Sequence, residues 1–174
     1  MSGTNEVVSV RASTALGEFM VRATARGLRA VTPVPAPSAD ARNRPPANHA
    51  ALAHACAAAE ALRRYAAGER VRYEGPFDLD APALHLAVWE RLRAIPFGAT
   101  ATYGEIAAAI GQPGEARAIG AAVGANPICI LTPCHRVVGA DGSLRGFAWG
   151  LDLKRRLLAH EGSAALPLFA GAAR

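Results

Sequence analysis

A cysteine followed directly by a histidine and an arginine stands inside the stretch NPICILTPCHRVVGADGSLRG, which covers residues 126–146. A free thiol has a pKa near ~8.5, so only a small fraction of it is the nucleophilic thiolate at neutral pH. A base or a positive charge nearby raises that fraction. Cys134, with His135 and Arg136 beside it, is therefore a candidate nucleophile, while the alternative of a buried structural thiol stays open at this point.

The geometry of such a centre depends on a turn. Neighbouring side chains in an extended chain point to opposite faces, so contact between Cys134 and His135 requires a turn or a bridging water. A carboxylate would then orient the imidazole, as in other nucleophile–base–acid triads, and Glu161 at the end of the last predicted helix is the candidate. A zinc site is a further alternative, but it needs four ligands and the chain has no CxxC or HxxxH spacing. We predict no metal site and no cofactor.

The N-terminal part of the chain predicts a small sheet and one helix. Residues 6–31 alternate partly between apolar and polar side chains, which is typical of short strands. The proline-rich residues 32–46 predict a flexible loop. Residues 48–67 are rich in alanine and leucine and predict a helix that ends at Gly68, with Cys56 expected in its core.

The second half of the chain predicts helices. Apolar residues at helical spacing cover residues 83–94, and Thr102 with Glu105 three positions later is typical of a capping box that opens another helix. The turn GQPGEA joins that helix to one over residues 116–125, which is the helix-turn-helix plan. Residues 151–161 predict an amphipathic closing helix.

The predicted fold class is α+β (α/β), with two domains. A small sheet-plus-helix domain covers residues 1–77 and includes the flexible loop at about 32–46. A mainly helical domain covers residues 78–174 and carries the helix-turn-helix and the active-site loop. A length of 174 residues suits either one large domain or two small ones.

Composition and charge favour an anionic partner. The chain is 51% apolar and has a formal net charge of +5, almost entirely from arginine, because Lys154 is the only lysine. Arginine suits planar hydrogen-bonded contacts with phosphates and base edges. Three cysteines do not suggest a disulfide framework, the N-terminus lacks a signal-peptide pattern, and no apolar run approaches the roughly 20 residues of a membrane span. We expect a cytoplasmic protein without membrane contact.

The motif PCHRVV, preceded by NPI and followed by GSLRGF, resembles the active-site signature of O6-alkylguanine-DNA alkyltransferases, also called methylated-DNA–protein-cysteine methyltransferases. The stretch VWERLRAIPFGATATYGEIAAAIGQPGEARAIGAAVGANP is similar to the helix-turn-helix region of that family, and GLDLKRRLLAHEG is similar to its closing helix. The resemblance covers about residues 77–162. The N-terminal part fits loosely as the smaller, variable domain of the family.

The resemblance implies a role for each candidate catalytic residue. Cys134 is the nucleophile that accepts the alkyl group, and His135 is its water-linked base. Glu161 orients His135, and Asn126 supports the turn that carries the cysteine. Tyr103 donates a proton or a hydrogen bond to the guanine ring as it leaves.

The resemblance also implies a double-stranded DNA partner that carries O6-alkylguanine and binds through its minor groove. The lesion lies inside the duplex, so the base must be rotated out, and Arg117 is the side chain that enters the stack in its place. Small side chains on the second helix would allow close approach to the groove. The predicted DNA-binding residues are Thr102, Arg117, Ala118, Gly120, Ala121 and Ala122. The predicted substrate pocket comprises Tyr103, Val137, Ser143, Leu144, Phe147, Ala148 and Trp149.

The implied function is direct-reversal DNA repair: irreversible, stoichiometric transfer of an alkyl group from O6-alkylguanine, and from O4-alkylthymine, to Cys134. We expect a monomer, and cooperative binding along DNA stays open. Trp149 is hypothesised to narrow the pocket against bulky adducts such as benzyl, and Cys129 is expected to be packed. Two alternatives are a non-catalytic alkylguanine-binding protein, which the retained Cys134 disfavours, and an alkylation-sensing helix-turn-helix regulator, which would carry additional metal-binding cysteines.

Overall fold

The computed structural model describes residues 6–35 and 48–163 of the chain. The fold divides into two compact units, each with its own core. The first unit extends to Asp80 and also includes Pro127–Leu131. The second unit comprises Ala81–Asn126 and the residues from Thr132 onward.

The first unit is an antiparallel three-stranded sheet with one helix packed on it. Strands β1 (Val8–Thr14), β2 (Gly17–Thr24) and β3 (Gly27–Val34) pair in the order β1-β2-β3. Helix α1 (His49–Ala66) begins at Asn48, whose side chain accepts a hydrogen bond from the Ala51 backbone and caps the helix. The apolar side chains of the strands and the buried face of α1 form the core, which is what the partial alternation over residues 6–31 predicts.

Strand β3 is longer than the sequence predicts, because it continues through Pro33 to Val34 instead of ending at Val31. Pro33 pairs with Phe19 near the end of the strand, where a residue without an N–H group is tolerated. The remainder of the predicted flexible loop, residues 36–46, lies outside the described residues.

Backbone hydrogen bonds attach Pro127–Leu131 to β3. The Val31 N–H donates to the Pro127 carbonyl at 2.9 Å, and the Cys129 N–H donates to the Val31 carbonyl at 2.9 Å. The sequence predicts these five residues in the C-terminal domain; the structure places them in the first unit. The first unit also extends to Asp80, whereas the predicted N-terminal domain ends at residue 77.

The second unit consists of helices and short extended segments. In chain order these are α2 (Ala83–Arg93), β4 (Ala101–Thr102), α3 (Tyr103–Ala109), α4 (Ala116–Gly124), a single 3₁₀ turn (Cys134–Arg136), β5 (Val137–Val138) and α5 (Leu151–His160). Strands β4 and β5 pair in parallel. The predicted capping box is confirmed: Thr102 Oγ1 accepts from the Glu105 N–H at 3.2 Å, and Glu105 Oε2 accepts from the Thr102 N–H at 2.7 Å.

A hydrogen bond from Trp89 Nε1 to the Ala122 carbonyl, at 2.8 Å, joins α2 to α4 inside the core of the second unit. An indole N–H that is buried in this way usually finds a partner, and here it fixes one helix against the other. Within the described residues, the helices are too short or too polar to cross a bilayer.

Candidate active site

Cys134 begins the 3₁₀ turn, and its backbone explains why the chain bends there. Pro133 has φ −81° and ψ 66°, and the Cys134 N–H donates to the Thr132 carbonyl at 2.8 Å, which is an inverse γ-turn. The Arg136 N–H then donates to the Pro133 carbonyl at 3.0 Å. The Cys134 and His135 side chains therefore leave a tight turn rather than an extended strand, and both residues are buried.

Asn126 supports this turn and contacts the sulfur. It lies just beyond the end of α4 and is buried. Its Nδ2 group donates to the Thr132 carbonyl at 2.8 Å and to Cys134 Sγ at 3.1 Å. The structure thus brings Asn126 and Cys134 together.

Glu161 meets His135 in the interior of the second unit. Glu161 Oε1 lies 2.7 Å from His135 Nε2, and both side chains have no solvent exposure. Because an ionised carboxylate only accepts hydrogen bonds, the network assigns the imidazole proton to Nε2 and the lone pair to Nδ1. Nδ1 is then the atom through which the ring can act as a base.

The surroundings move the pKa values of these groups in defined directions. Burial lowers the pKa of His135, and the charges of Arg136 and Lys154 lower it further, whereas Glu161 acts in the opposite direction. Although burial opposes it, the hydrogen bonds from His135 and Arg136 hold the pKa of Glu161 well below its usual range. Burial also raises the pKa of the Cys134 thiol, while the Asn126 amide and the Lys154 ammonium act to lower it.

Lys154 is a candidate functional residue that the sequence did not predict. It is fully buried on α5, and its Nζ donates to the Val137 carbonyl at 2.6 Å and to the Arg145 carbonyl at 2.8 Å. Burial lowers the pKa of Lys154 to about 8, so the ammonium is still charged at neutral pH. The signal was available: a lone lysine stands at helical spacing from Leu157 and Leu158, in the apolar stripe of α5.

Tyr103, the first residue of α3, lies against α4. A Cβ atom added to Gly120 would be 3.9 Å from the ring carbons Cδ1 and Cε1 of Tyr103. Burial raises the pKa of Tyr103, the charge of Cys134 raises it further, and the charge of Arg145 lowers it. The phenol is therefore protonated at neutral pH and can donate.

The predicted DNA-binding residues fall into two groups. Arg117 and Ala121 are exposed on α4, and Thr102, Ala118 and Gly120 are half-buried. Ala122 departs from the predicted surface: it is fully buried and its carbonyl accepts from Trp89. The helical period places residue 122 with Ile119 and Val123 on the face of α4 that packs in the core. Ala122 is therefore not part of the candidate interface.

The predicted pocket residues after β5 lie in an irregular segment without helix or strand. The rings of Phe147 and Trp149 pack edge to face with centroids 5.3 Å apart, and Lys154 Nζ lies 6.0 Å from the Phe147 centroid. Ser143 and Leu144 are half-buried and Ala148 is exposed. The Val137 side chain is fully buried. Its backbone carbonyl accepts the hydrogen bond from Lys154.

The other two cysteines differ in exposure. Cys129 is buried in the first unit, as expected. The expectation that Cys56 is a core residue is wrong: Cys56 is exposed, because α1 buries its Ala51, Ala55 and Leu62 face instead. No three His, Cys, Asp or Glu side chains are grouped as metal ligands in residues 6–35 and 48–163.

Known proteins match this site and its surroundings. A family model described as the 6-O-methylguanine DNA methyltransferase, DNA binding domain, matches residues 83–163. A Mycolicibacterium paratuberculosis protein named methylated-DNA–protein-cysteine methyltransferase is 51% identical over 104 residues, which are 60% of this chain and 63% of that protein. A protein of the same name from Methanosarcina acetivorans is 47% identical over 106 residues, or 61% of this chain and 68% of that protein.

The chain belongs to the methylated-DNA–protein-cysteine methyltransferase family. The resemblance carried by PCHRVV is thereby confirmed, although the match spans just under two thirds of the curated relatives from M. paratuberculosis (63%) and Mycobacterium bovis (66%). The structure of the Mycobacterium tuberculosis O6-methylguanine methyltransferase superposes with a TM-score of 0.73 at 34% identity, over 94% of this chain and 99% of that one.

A structure of the M. tuberculosis relative in complex with DNA gives a TM-score of 0.72 at 35% identity, over 94% of this chain and 98% of that one. The enzyme from the archaeon Pyrococcus kodakaraensis, at 18% identity, has a TM-score of 0.59 and supports the fold alone. This methylated-DNA–protein-cysteine methyltransferase family member therefore has the α+β fold of its solved relatives, in agreement with the predicted fold class.

Proposed function

We propose that this chain repairs alkylated DNA by direct reversal, moving the alkyl group of O6-alkylguanine onto Cys134. The observation that carries the proposal is the hydrogen bond from Asn126 to the Cys134 sulfur, in the buried turn that also carries His135, whose ring contacts Glu161. A structural thiol needs neither a donor aimed at its sulfur nor an imidazole held by a carboxylate.

The transfer is a displacement at carbon. The thiol proton passes through a water molecule to His135 Nδ1, and the thiolate sulfur of Cys134 attacks the alkyl carbon. The new S–C bond forms as the C–O6 bond breaks, and the electron pair of that bond goes to the guanine. The Tyr103 hydroxyl donates a proton to the leaving ring, and the proton held on His135 returns to Tyr103 through solvent. The products are guanine and an S-alkyl cysteine.

Burial disfavours the thiolate of Cys134, and local charge and hydrogen bonding act in the opposite direction. Desolvation alone would keep Cys134 protonated and inert. The Asn126 amide and the Lys154 ammonium both favour the thiolate, and each is itself held by backbone carbonyls. The centre therefore stabilises negative charge at one atom with groups that are already in place, as preorganised sites do.

The partner is double-stranded DNA, bound through its minor groove by the helix-turn-helix of α3 and α4. The DNA complex solved for the M. tuberculosis relative supports this partner. The exposed side of α4 has small residues next to Arg117, so its backbone can approach a narrow groove. Turning out the alkylated base costs a few kcal/mol, and the Arg117 side chain offsets part of that cost by filling the gap in the stack.

Each molecule acts once, as a monomer. The thioether product does not exchange as a disulfide does, and the proposed site has no group that would hydrolyse it. O4-alkylthymine, which also carries its alkyl group on an exocyclic oxygen, is proposed as a second substrate.

Titration with an excess of duplex oligonucleotide containing O6-methylguanine tests this function. We expect one methyl group removed per protein molecule, with the mass of one CH₂ added to the tryptic peptide that contains Cys134. Cys134→Ser should abolish transfer and retain duplex binding, whereas the exposed Cys56→Ser should transfer normally. Removal of several methyl groups per molecule, or a label on another residue, would refute the proposal.

A further inference from the structure

Arg136 is buried next to the His135–Glu161 pair. Its Nε lies 2.9 Å from Glu161 Oε2 and its Nη2 lies 2.9 Å from Oε1, so the guanidinium holds both oxygens of the carboxylate. Its Nη1 donates to the Ile95 carbonyl at 2.5 Å, and its Cζ lies 5.9 Å from the Phe97 ring centroid. An arginine guanidinium carries a positive charge at neutral pH.

Glu161 is ionised because its carboxylate accepts several hydrogen bonds. Besides Arg136 and His135, the Gly98 N–H donates to its Oε2 at 3.0 Å. A buried carboxylate that accepts several hydrogen bonds keeps its negative charge. Arg136 and Glu161 thus form a balanced ion pair, with side-chain exposures of 7% and 0%.

A proton added to His135 would place a second positive charge beside this balanced pair. Burial of a charge without a counter-ion is costly, whereas burial of a hydrogen-bonded neutral imidazole is not. Without the guanidinium, the Glu161 carboxylate would instead have His135 as its counter-ion, and the imidazolium would be favoured.

We propose that Arg136 is a positioning residue of the transfer centre, which neutralises Glu161 and so keeps His135 uncharged, with its proton on Nε2 and its lone pair on Nδ1. The inference rests on the transfer proposed above, because only a neutral His135 can take the proton of the Cys134 thiol. The imidazolium formed in that step has a counter-ion already shared with Arg136. It therefore gives up the proton readily, as a relay must.

Other charged groups face His135 as well. Lys154 approaches from α5, and its ammonium disfavours the imidazolium, as Arg136 does. Cys134 precedes His135 on the same turn, and its thiolate would favour the imidazolium. The effect of Arg136 must therefore be measured with Lys154 left in place.

Nitrogen NMR of the protein labelled with ¹⁵N-histidine tests the proposal in the wild-type chain, with the His135 signals assigned from a His135→Gln variant. We expect the ring of His135 to be mostly neutral, in the Nε2–H form, at pH 6.5, the ordinary pKa of histidine. A ring that is mostly protonated at that pH would overturn the proposal. The measurement uses no DNA, so its outcome is separate from any failure of alkyl transfer.

Substitution of Arg136 tests the cause. In Arg136→Met, His135 should titrate at a higher pH than in the wild type, and the acid limb of the single-turnover transfer rate should move to higher pH with it. Arg136→Lys retains a charge and should restore most of the wild-type profile. Arg155→Met, which removes the same charge from the surface of α5, is the matched control and should change neither.

A folded Arg136→Met protein whose His135 titrates as in the wild type would show that Arg136 acts only in packing, and the proposal would fail. If Arg136→Met does not fold, the wild-type titration and the Arg136→Lys profile still decide between the two outcomes.

Discussion

Asn126 and Cys134 are eight positions apart in the chain, and Asn126 Nδ2 donates a hydrogen bond to Cys134 Sγ at 3.1 Å. The same amide donates to the Thr132 carbonyl at 2.8 Å, so one side chain holds both the turn and the sulfur that the turn presents. A donor aimed at a sulfur stabilises the thiolate relative to the thiol. In the proposed function, the thiolate of Cys134 should therefore depend on Asn126.

Replacement of Asn126 by alanine should slow every reaction of the Cys134 thiolate. A hydrogen bond to a charged group contributes about 1.5–3 kcal/mol, so the rate of alkylation by iodoacetamide at neutral pH should fall by about tenfold or more. Methyl transfer from duplex DNA should fall in parallel. The buried Thr132 carbonyl also loses a donor, which should cost about 1–3 kcal/mol of stability.

Asn48→Ala is the matched control for Asn126→Ala. It removes an asparagine hydrogen bond at the start of α1, in the other unit, and should cost about 0.5–2 kcal/mol of stability. It should leave the reactivity of Cys134 unchanged. An Asn126→Ala protein that alkylates at the wild-type rate would contradict the assigned contact.

Acid should destabilise the fold in two steps. The folded-state pKa of His135 lies below its ordinary value of 6.5, and that of Glu161 lies below 4.5. In each case the unfolded chain binds more protons than the folded protein below the ordinary pKa, so the free energy of unfolding falls as pH is lowered. The urea midpoint should therefore decline from about pH 6.5 downward, and more steeply below about pH 4.5.

Tryptophan fluorescence during urea unfolding, repeated between pH 8 and pH 4, measures this effect. His135→Gln should remove the decline above pH 5, while Asp152→Asn, at an exposed pair on α5, should leave it. A midpoint that is constant from pH 7.5 to pH 5 would mean that His135 has the same proton affinity in both states.

Substitutions at Gly120 can distinguish the stability of α4 from the placement of the Tyr103 ring. An alanine Cβ at this position would be 3.9 Å from the Tyr103 ring, an ordinary contact, and alanine is favoured over glycine inside a helix by about 0.5–1 kcal/mol. Gly120→Ala should therefore raise Tm and retain transfer. Gly120→Leu should displace the ring and slow transfer. Gly124→Ala is the control for helix propensity, because a Cβ there meets nothing within 4 Å and is as small as the neighbouring side chains of α4.

Removal of the Arg117 side chain should slow transfer from duplex DNA more than transfer from the free alkylated base. In the proposed function, the side chain offsets part of a base-flipping cost of a few kcal/mol, so Arg117→Ala should slow transfer from duplex O6-methylguanine by about tenfold. Transfer from the free alkylated base, which needs no flipping, should change little. Arg155→Ala removes an exposed arginine from α5 and should spare both reactions. An equal loss of transfer rate on both substrates would argue against insertion of the Arg117 side chain into the base stack.

Trp149 should restrict the size of the adduct. The edge-to-face contact with Phe147 holds the indole in the irregular segment that we propose as a pocket wall. Trp149→Gly should increase transfer from O6-benzylguanine oligonucleotides relative to O6-methylguanine, whereas Trp149→Phe should resemble the wild type. An unchanged ratio of the two rates in Trp149→Gly would show that Trp149 does not line the substrate pocket.

Much of the second unit could be predicted because its determinants are local. The Thr102–Glu105 capping box and the helical spacing in α2 and α5 are readable within one or two turns of chain. Glu161 was proposed to orient His135 by the general logic of nucleophile–base–acid triads, and the family resemblance implied the same role. The turn at Pro133 supplies the bend that an extended chain would lack.

The failures involve long-range packing. Lys154 was overlooked because its carbonyl acceptors, on Val137 and Arg145, come together only when the segment after β5 has folded onto α5. The face that α1 buries could not be chosen, since alanines surround Cys56 on all sides of the helix. Residue 122 was placed on the wrong face of α4 for a similar reason, because small residues cover both faces.

The assignment of Pro127–Leu131 to the first unit has a consequence for expression of the C-terminal part of the chain alone. A fragment that starts at Ala81 would contain these five residues but not Val31, whose N–H and carbonyl groups they bind. The backbone polar groups of this segment would lack their partners a few residues before Cys134, and such unpaired strand edges promote aggregation. The C-terminal half should therefore be a poor autonomous expression product unless the N-terminal half is supplied with it.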